Sequence, residues 1–213
     1  MSDNAAEDRR SRPRPRLTQW LFDPFTYIAG EPALALGLVA IVATGIIGAV
    51  SGAHVDGVLD LHIGPSPAIW VVPVEGIIDW LCLAIVLFIT GRLASRTAFR
   101  AIDLFGTQAL AHAPMLIAIS ACAAPPFRRY LGAVITHLIS SGAAAPPSAA
   151  DGVVFMLVVV VTVAAIVWMV ALMYRSYALC CNLRGARAAA TFVIGLLVAE
   201  VLSKLAMWPL LKP

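Results

Sequence analysis

Charged residues are scarce in this chain of 213 residues. Asp, Glu, Lys and Arg make up 13% of it, whereas roughly a quarter of an average soluble domain is charged. Hydrophobic residues make up 61%, and the mean hydropathy is +0.89. No water-soluble fold of this length can bury so much apolar surface, so the composition predicts an integral membrane protein. The formal net charge of +3 is too small to indicate a nucleic-acid partner.

Paired cysteines and catalytic motifs are also missing. The four cysteines show no C-x-x-C spacing, so we expect no disulfide framework. The sequence has no G-x-S-x-G, H-E-x-x-H, nucleotide phosphate-binding loop or dinucleotide-binding glycine motif. The one close pair of intramembrane acids lies within a single predicted helix, without the separate glycine–aspartate motif of an intramembrane protease. We therefore expect neither enzymatic activity nor an organic cofactor.

Long apolar runs are what the chain does have. A membrane-spanning helix takes about 20 mostly apolar residues. We predict an all-α membrane fold with about five transmembrane helices, at residues 32–53, 69–90, 101–124, 153–174 and 188–211. Residues 17–213 then form one membrane domain. Residues 1–16 contain five arginines and little that is apolar, which predicts a disordered basic tail that is not a cleaved signal peptide.

Two further segments have the pattern of helices that lie in the membrane interface. Residues 17–28, LTQWLFDPFTYI, collect aromatic side chains of the kind found at the headgroup level. Residues 127–140, FRRYLGAVITHLIS, place apolar residues on one helical face and Arg128, Arg129 and His137 on the other. This second segment is too short and too polar to span, so we predict interfacial helices before span 1 and after span 3.

The distribution of basic residues predicts the orientation, because cytoplasmic loops are enriched in Lys and Arg. One side of the predicted topology holds eleven of them: Arg9, Arg10, Arg12, Arg14, Arg16, Arg92, Arg96, Arg100, Arg175, Arg184 and Arg187. The other side holds Arg128, Arg129 and Lys212. We expect the N-terminus in the cytoplasm and the C-terminus outside. The basic cytoplasmic face also suits contact with anionic lipids of the bilayer.

Three segments of the chain carry a family resemblance. They are Phe22-Asp23-Pro24-Phe25 before the first span, FGTQALAHAPML at 105–116 with its mid-span proline, and YRSYALCCNLRGARAAATFVIGLLVAEVLSK at 174–204. Over about residues 20–211 the chain resembles the Yip1-domain membrane proteins. The resemblance implies a five-span fold and a non-enzymatic role in membrane organisation or partner binding.

Eukaryotic members of that family take part in vesicle traffic and contact small prenylated GTPases through a long N-terminal region. The short arginine-rich tail and alanine-rich composition here suit a bacterial inner-membrane member. The expected binding partner is another membrane protein or a second copy of the chain. Gly37, Gly45 and Gly48 in the first span would allow close contact with a helix of that partner.

An alternative function comes from two acids in the second predicted span. Glu75 and Asp79 are four residues apart and share one helix face, where each charged carboxylate costs about 2.5–3.5 kcal/mol. They must be paired, protonated or bound to a cation. Together with His112 they form a candidate proton or cation site of a small transporter or channel-like protein. The competing interpretation is a hydrogen-bonded network that only holds helices together.

Other polar residues of the spans are candidates for supporting roles. The possible partners of the two acids are His112 and Asp103 in the third span, or Glu200 and Lys204 in the fifth. Glu200 and Lys204 have the spacing and order of an intrahelical ion pair. Asp103 suits a helix N-terminus, and Gln108 is placed to support the site from the third span.

The loop sequence HVDGVLDLH, residues 54–62, offers a weak metal site. His54, Asp56, Asp60 and His62 supply nitrogen and carboxylate ligands that suit zinc or a similar divalent ion. The alternative is that they are ordinary polar residues of a loop.

Overall fold

The apolar runs form long helices in the computed structural model, which describes residues 17–64, 68–140 and 145–208. The predicted disordered tail at 1–16 and the predicted end of span 5 beyond residue 208 lie outside these residues. The helices are α1 Leu17–Phe22, α2 Gly30–Ser51, α3 Val71–Ala94, α4 Ala101–Ala111, α5 Pro114–Cys122, α6 Pro125–Ile139, α7 Ala149–Cys180 and α8 Gly185–Met207. A 3₁₀ turn covers Pro24–Thr26, and the strands are β1 Ala53–Val55 and β2 Leu61–Ile63.

Five helical segments of the described chain are long and apolar enough to cross a membrane. They are Gly30–Ser51, Val71–Ala94, Ala101–Cys122, Ala149–Cys180 and Gly185–Met207. The prediction of an all-α membrane fold with five spans is therefore confirmed, and the protein is a polytopic membrane protein. The apolar side chains still exposed on these helices, such as Val160 and Val201, are those that a lipid environment would cover.

Two of the spans differ from their predicted form. The third is split at His112 and Ala113, because Pro114 lacks the N–H that an uninterrupted helix would use there. The fourth has 32 residues, about 48 Å of helix, and so exceeds the roughly 30 Å hydrocarbon core. The predicted range 153–174 was too short because polar residues near both ends have partners in neighbouring segments, as described below.

The helices pack in an antiparallel bundle. α2 contacts α3, α4 and α5, α3 contacts α8, and α7 contacts both α4 and α5. β1 and β2 pair antiparallel, with His54 opposite His62, and the end of the bundle that carries them is here called the hairpin end. The opposite end carries Arg92, Arg96, Arg100, Arg175, Arg184 and Arg187 and is called the arginine-rich end. The sequence did not predict this hairpin.

Glycines of the first span allow close approach of backbone within the chain. A Cβ added at Gly37 would overlap the backbone of Ala109 in α4, and one at Gly45 would lie 2.5 Å from Cα of Pro73 in α3. A Cβ at Gly48 would overlap the backbone of Ala53. The small residues therefore serve contacts inside this bundle, in addition to whatever helix contact they offer to another chain.

The two segments predicted to lie in the interface are both helical at least in part, and both are bonded to α7. The indole N–H of Trp168 donates to the carbonyl of Leu21 at 2.7 Å, and Arg175 forms an ion pair with Asp23 at 2.7 Å. At the other end, Arg129 of α6 donates two hydrogen bonds to Asp151 of α7, at 2.8 and 3.1 Å. Of these contacts, the ion pairs of Asp151 and Arg175 involve residues of α7 that lie outside its predicted limits.

Candidate functional site

The hairpin brings His54 to the first of the two buried acids. The His54 Nδ1 lies 3.1 Å from the Glu75 Oε2 and donates to the carboxylate, with 6% of the histidine side chain and none of the glutamate side chain exposed. This hydrogen bond raises the pKa of His54 above its ordinary value of 6.5, against the opposing effect of burial. The charges of Glu75 and Asp56 act in the same direction as the hydrogen bond.

Glu75 was expected to pair with a residue of the third or fifth span. Its bonded partner is instead a histidine of the loop between the first two spans. The sequence offered one signal for this contact, since His54 lies close in sequence to the start of the helix that carries Glu75. The sequence pattern indicated only a metal-ligand role for His54.

A small cavity lies beside this pair in the interior of the bundle. Its volume is about 30 Å³, and its polar lining residues are Thr44, His54, Asp79 and His112. One water molecule needs about 10–15 Å³ of such volume, so the cavity has room for about two. Ordinary pockets for organic ligands have about 300 Å³ or more, so the cavity fits water, a proton or a very small ion.

The polar groups around the cavity are incompletely bonded. Within the described residues, neither carboxylate oxygen of Asp79 has a hydrogen-bond partner, nor do Glu75 Oε1, Thr44 Oγ1 and His112 Nε2. Ser203 lies beside Asp79, but its hydroxyl donates to the carbonyl of Glu200 at 3.1 Å. Buried polar groups in proteins are nearly always bonded to protein or to water. This set of groups is therefore suited to hold bound water and a proton.

His112 occupies the break between α4 and α5. Its Nδ1 donates to the carbonyl of Gln108 at 2.8 Å, which leaves Nε2 as the acceptor of the neutral ring. The structure thus brings two of the predicted site residues, Asp79 and His112, to one cavity. It places the third, Glu75, behind His54, which lines the same cavity.

A chain of polar side chains continues from His112 along the contact of α4 with α7. The Gln108 amide donates to the carbonyl of Met173 at 3.0 Å and to the hydroxyl of Ser176 at 3.1 Å. Ser176 lies 2.6 Å from the Thr107 hydroxyl, which is 3.5 Å from the Cys180 thiol. Polar groups therefore extend from the cavity to the last turn of α7, near the arginine-rich end.

The predicted pair in the fifth span is present and has a third member. Lys204 Nζ lies 3.4 Å from Glu200 Oε1 and 2.6 Å from Asp60 Oδ2. Glu200 Oε2 also accepts the backbone N–H of Leu59 at 2.9 Å. These contacts attach the hairpin loop to α8. Asp103 lies elsewhere, beside Gly30 near the arginine-rich end, so it does not contact the two acids.

Three of the four loop residues considered for a metal have separate contacts, whereas the fourth, Asp56, has a buried Oδ1 with no hydrogen-bond partner among the described residues. His54 is bonded to Glu75 and Asp60 to Lys204, while the exposed ring of His62 lies edge-on to His54 with centroids 5.2 Å apart. Among the residues that the structure describes, no group of three or more His, Cys, Asp or Glu is placed to hold a metal ion. The loop residues instead bind the hairpin to α3 and α8, which the sequence analysis did not anticipate.

No family model, curated protein or solved structure matches the chain. The chemistry of the site is set by its own residues: an acid with no hydrogen-bond partner among the described residues, an imidazole acceptor and a hydrogen-bonded histidine–glutamate pair, all around a cavity of water size.

Proposed function

We propose that this polytopic membrane protein binds a proton inside its helix bundle and transfers it across the membrane, as a small transporter or channel-like protein does. The observation that carries the proposal is the buried Asp79 carboxylate, which has no bonded partner among the described residues and faces the water-sized cavity that His112 shares. A charged carboxylate in that position is costly, whereas a protonated one can donate to water or to the imidazole.

The competing interpretation, a network that only joins helices, requires side chains bonded to one another. The Gln108–Ser176–Thr107 contacts between α4 and α7 fit that description. The groups around the cavity do not, because the acceptor atoms of Asp79 and His112 have no hydrogen-bond partner among the described residues. Intramembrane acids left in this state are typical of ion and proton pathways.

The arrangement of polar groups suggests the route of the proton. At the hairpin end the exposed His62 ring lies next to His54, which is bonded to Glu75 and lines the cavity. Beyond Asp79 and the imidazole of His112, the hydroxyl groups of Ser176 and Thr107 lie between α4 and α7 in the direction of the arginine-rich end. Because the cavity is far smaller than a pocket for an organic molecule, the proposal includes no chemistry on an organic substrate.

Proton flux into liposomes tests the proposal. The purified protein is reconstituted with a pH-sensitive dye inside the vesicles, and a pH step is applied with and without a membrane potential. The wild type should acidify the interior faster than empty vesicles, and Asp79→Asn should abolish that flux while preserving side-chain volume. His112→Gln should reduce the flux, because it removes the open imidazole acceptor.

Asp151→Asn is the matched control, because Asp151 lies outside the cavity in an ion pair with Arg129. It should keep wild-type flux. A wild type no faster than empty vesicles, or Asp79→Asn with undiminished flux, would refute the proposed function. Infrared spectra give a second measurement that needs no transport, since a protonated Asp79 contributes a carboxylic-acid band that Asp79→Asn lacks.

The second candidate function is membrane organisation through a bound partner, as the Yip1 resemblance implies. One observation favours it: α1 exposes Leu17 and Phe22 and is held to α7 by the Asp23–Arg175 ion pair, which presents an apolar patch near the arginine-rich end. A partner captured by the wild type but lost on Phe22→Ser would support this function. Retention of that partner by the variant would exclude α1 as the binding surface.

A further inference from the structure

A groove on the surface of the bundle at the hairpin end has an apolar floor and one basic side. It has a volume of about 520 Å³ and lies between the end of α2, the hairpin and α6. Its apolar lining includes Val50, Ile69, Leu131 and Ile135, and Arg128 is the charged residue among those that line it. The groove is separate from the buried cavity around Asp79, so the inference drawn here does not depend on the proposed function.

Arg128 differs from its neighbour Arg129 in its bonding. Arg129 donates two hydrogen bonds to Asp151, which fills its guanidinium fork. Arg128 is exposed and has no acidic partner among the described residues. A planar guanidinium that is not engaged by a carboxylate is well suited to a phosphate, which accepts the same paired hydrogen bonds.

The position of the groove fits a lipid. It lies where α2 ends and α6 begins after α5, so it opens at the level where the spanning helices leave the membrane core. Its apolar rim is exposed, with 65% of Val50, 61% of Ile69 and 48% of Ile135 accessible. Such a rim is unfavourable in water but can contact an acyl chain, while Arg128 contacts the headgroup.

We propose that this groove binds one anionic phospholipid, with the lipid phosphate on Arg128 and an acyl chain along Val50, Leu131 and Ile135. Arg128 has no acidic partner among the described residues, so its charge complements a phosphodiester and selects the headgroup. The apolar floor selects a lipid over a soluble phosphate. An anionic headgroup should bind better than a zwitterionic one, because no described acidic residue lines the groove to balance a choline or ethanolamine.

Native mass spectrometry of the intact protein measures the bound lipid directly. Phosphatidylglycerol and phosphatidylcholine with identical acyl chains are titrated in turn into the detergent-solubilised protein. The wild type should retain one phosphatidylglycerol more strongly than phosphatidylcholine. Arg128→Gln should weaken phosphatidylglycerol binding about fivefold, the factor associated with one basic residue near an anionic membrane surface, and reduce the preference between the lipids.

The neighbouring arginine and a glycine of α6 provide the controls. Arg129→Gln should keep wild-type binding, because Arg129 is engaged by Asp151. Gly132 lines the groove, and a Cβ there would meet no described atom within 4 Å, so Gly132→Ala should be as stable as the wild type. Gly132→Trp should fill the groove and displace both lipids without removing any charge.

Three outcomes would overturn the inference. Arg128→Gln could bind phosphatidylglycerol as the wild type does, or Arg129→Gln could lose as much binding as Arg128→Gln. Soluble glycerol phosphate could also compete as well as the lipid, which would make the apolar floor irrelevant. A thermal melt of each variant, with a midpoint close to that of Gly132→Ala, shows that any lost binding comes from the groove and not from unfolding.

Discussion

Replacing His54 by alanine removes the one bonded partner that the structure describes for Glu75. The carboxylate is then buried with both oxygens open, since Glu75 Oε1 already lacks a described partner. Removing one member of a buried charged pair typically costs about 3–5 kcal/mol. We expect His54→Ala to lower the free energy of unfolding by about 3 kcal/mol, the lower end of that range.

The same contact makes a signed prediction about pH. The pKa of His54 is raised in the folded protein because of its hydrogen bond to Glu75, with the nearby carboxylate charges adding to the effect. Its stabilising contribution should therefore be complete below the unfolded value of about 6.5 and should be lost as pH rises through the higher folded value. The difference in stability between wild type and His54→Ala should accordingly be largest in mild acid and shrink in mild alkali.

The free energy of unfolding in detergent or nanodiscs, measured from about pH 5.5 to about pH 9, tests both the predicted loss of stability and its pH dependence. His62→Ala is the matched control, because the exposed His62 ring is next to His54 and its loss leaves the contact with Glu75 in place. It should follow the wild type at every pH. A difference between wild type and His54→Ala that grows with increasing pH, or an equal loss in His62→Ala, would refute the reasoning.

Three further results are expected. Glu200→Ala should lower the free energy of unfolding by about 1–3 kcal/mol, because the Leu59 N–H loses its acceptor. Lys204→Ala should lower it by less than about 1 kcal/mol, because the ion pairs of Lys204 are half-exposed, and equal melting temperatures of the two variants would contradict this. Gly37→Val should disrupt the contact of α2 with α4 and lower the melting temperature sharply, whereas Gly132→Ala should leave it unchanged. An unchanged melting temperature for Gly37→Val would show that the two helices are farther apart than the structure places them. A reporter on the N-terminus should be cytoplasmic and one after the last residue outside, as judged by protease protection in whole cells; both on one side would exclude five spans.

The spans could be predicted closely because hydropathy over about 20 residues reports a local property, the cost of transferring a helix into lipid. The ends of the spans were less predictable. Asp151 and Arg175 looked like residues outside a helix, but each is neutralised by a residue from another segment, Arg129 or Asp23. Helix length at the membrane boundary thus depends on tertiary ion pairs that hydropathy does not include.

At the candidate site, too, some features follow from local sequence and others only from tertiary contacts. The spacing of Glu75 and Asp79 placed both acids on one face of a helix, and the apolar surroundings required that they be paired, protonated or bound to a cation. Sequence alone determined this much. The geometry of the bundle decided which groups surround each acid. The hairpin places His54 within hydrogen-bond distance of Glu75, 21 residues away in the chain. The helix break before Pro114 places His112 in the lining of the cavity that Asp79 also lines.

Residues 54–62 show most clearly that residue type sets binding capacity while tertiary structure sets the partner. The sequence determined that 54–62 carries four groups able to bind a cation, because residue type alone sets that capacity. Only the tertiary structure decided that His54 would bind an acid of α3 and Asp60 a lysine of α8. The physical reason is that a hydrogen bond or ion pair forms only when folding brings the two polar groups within about 3 Å of each other. That distance depends on how helices distant in sequence pack together.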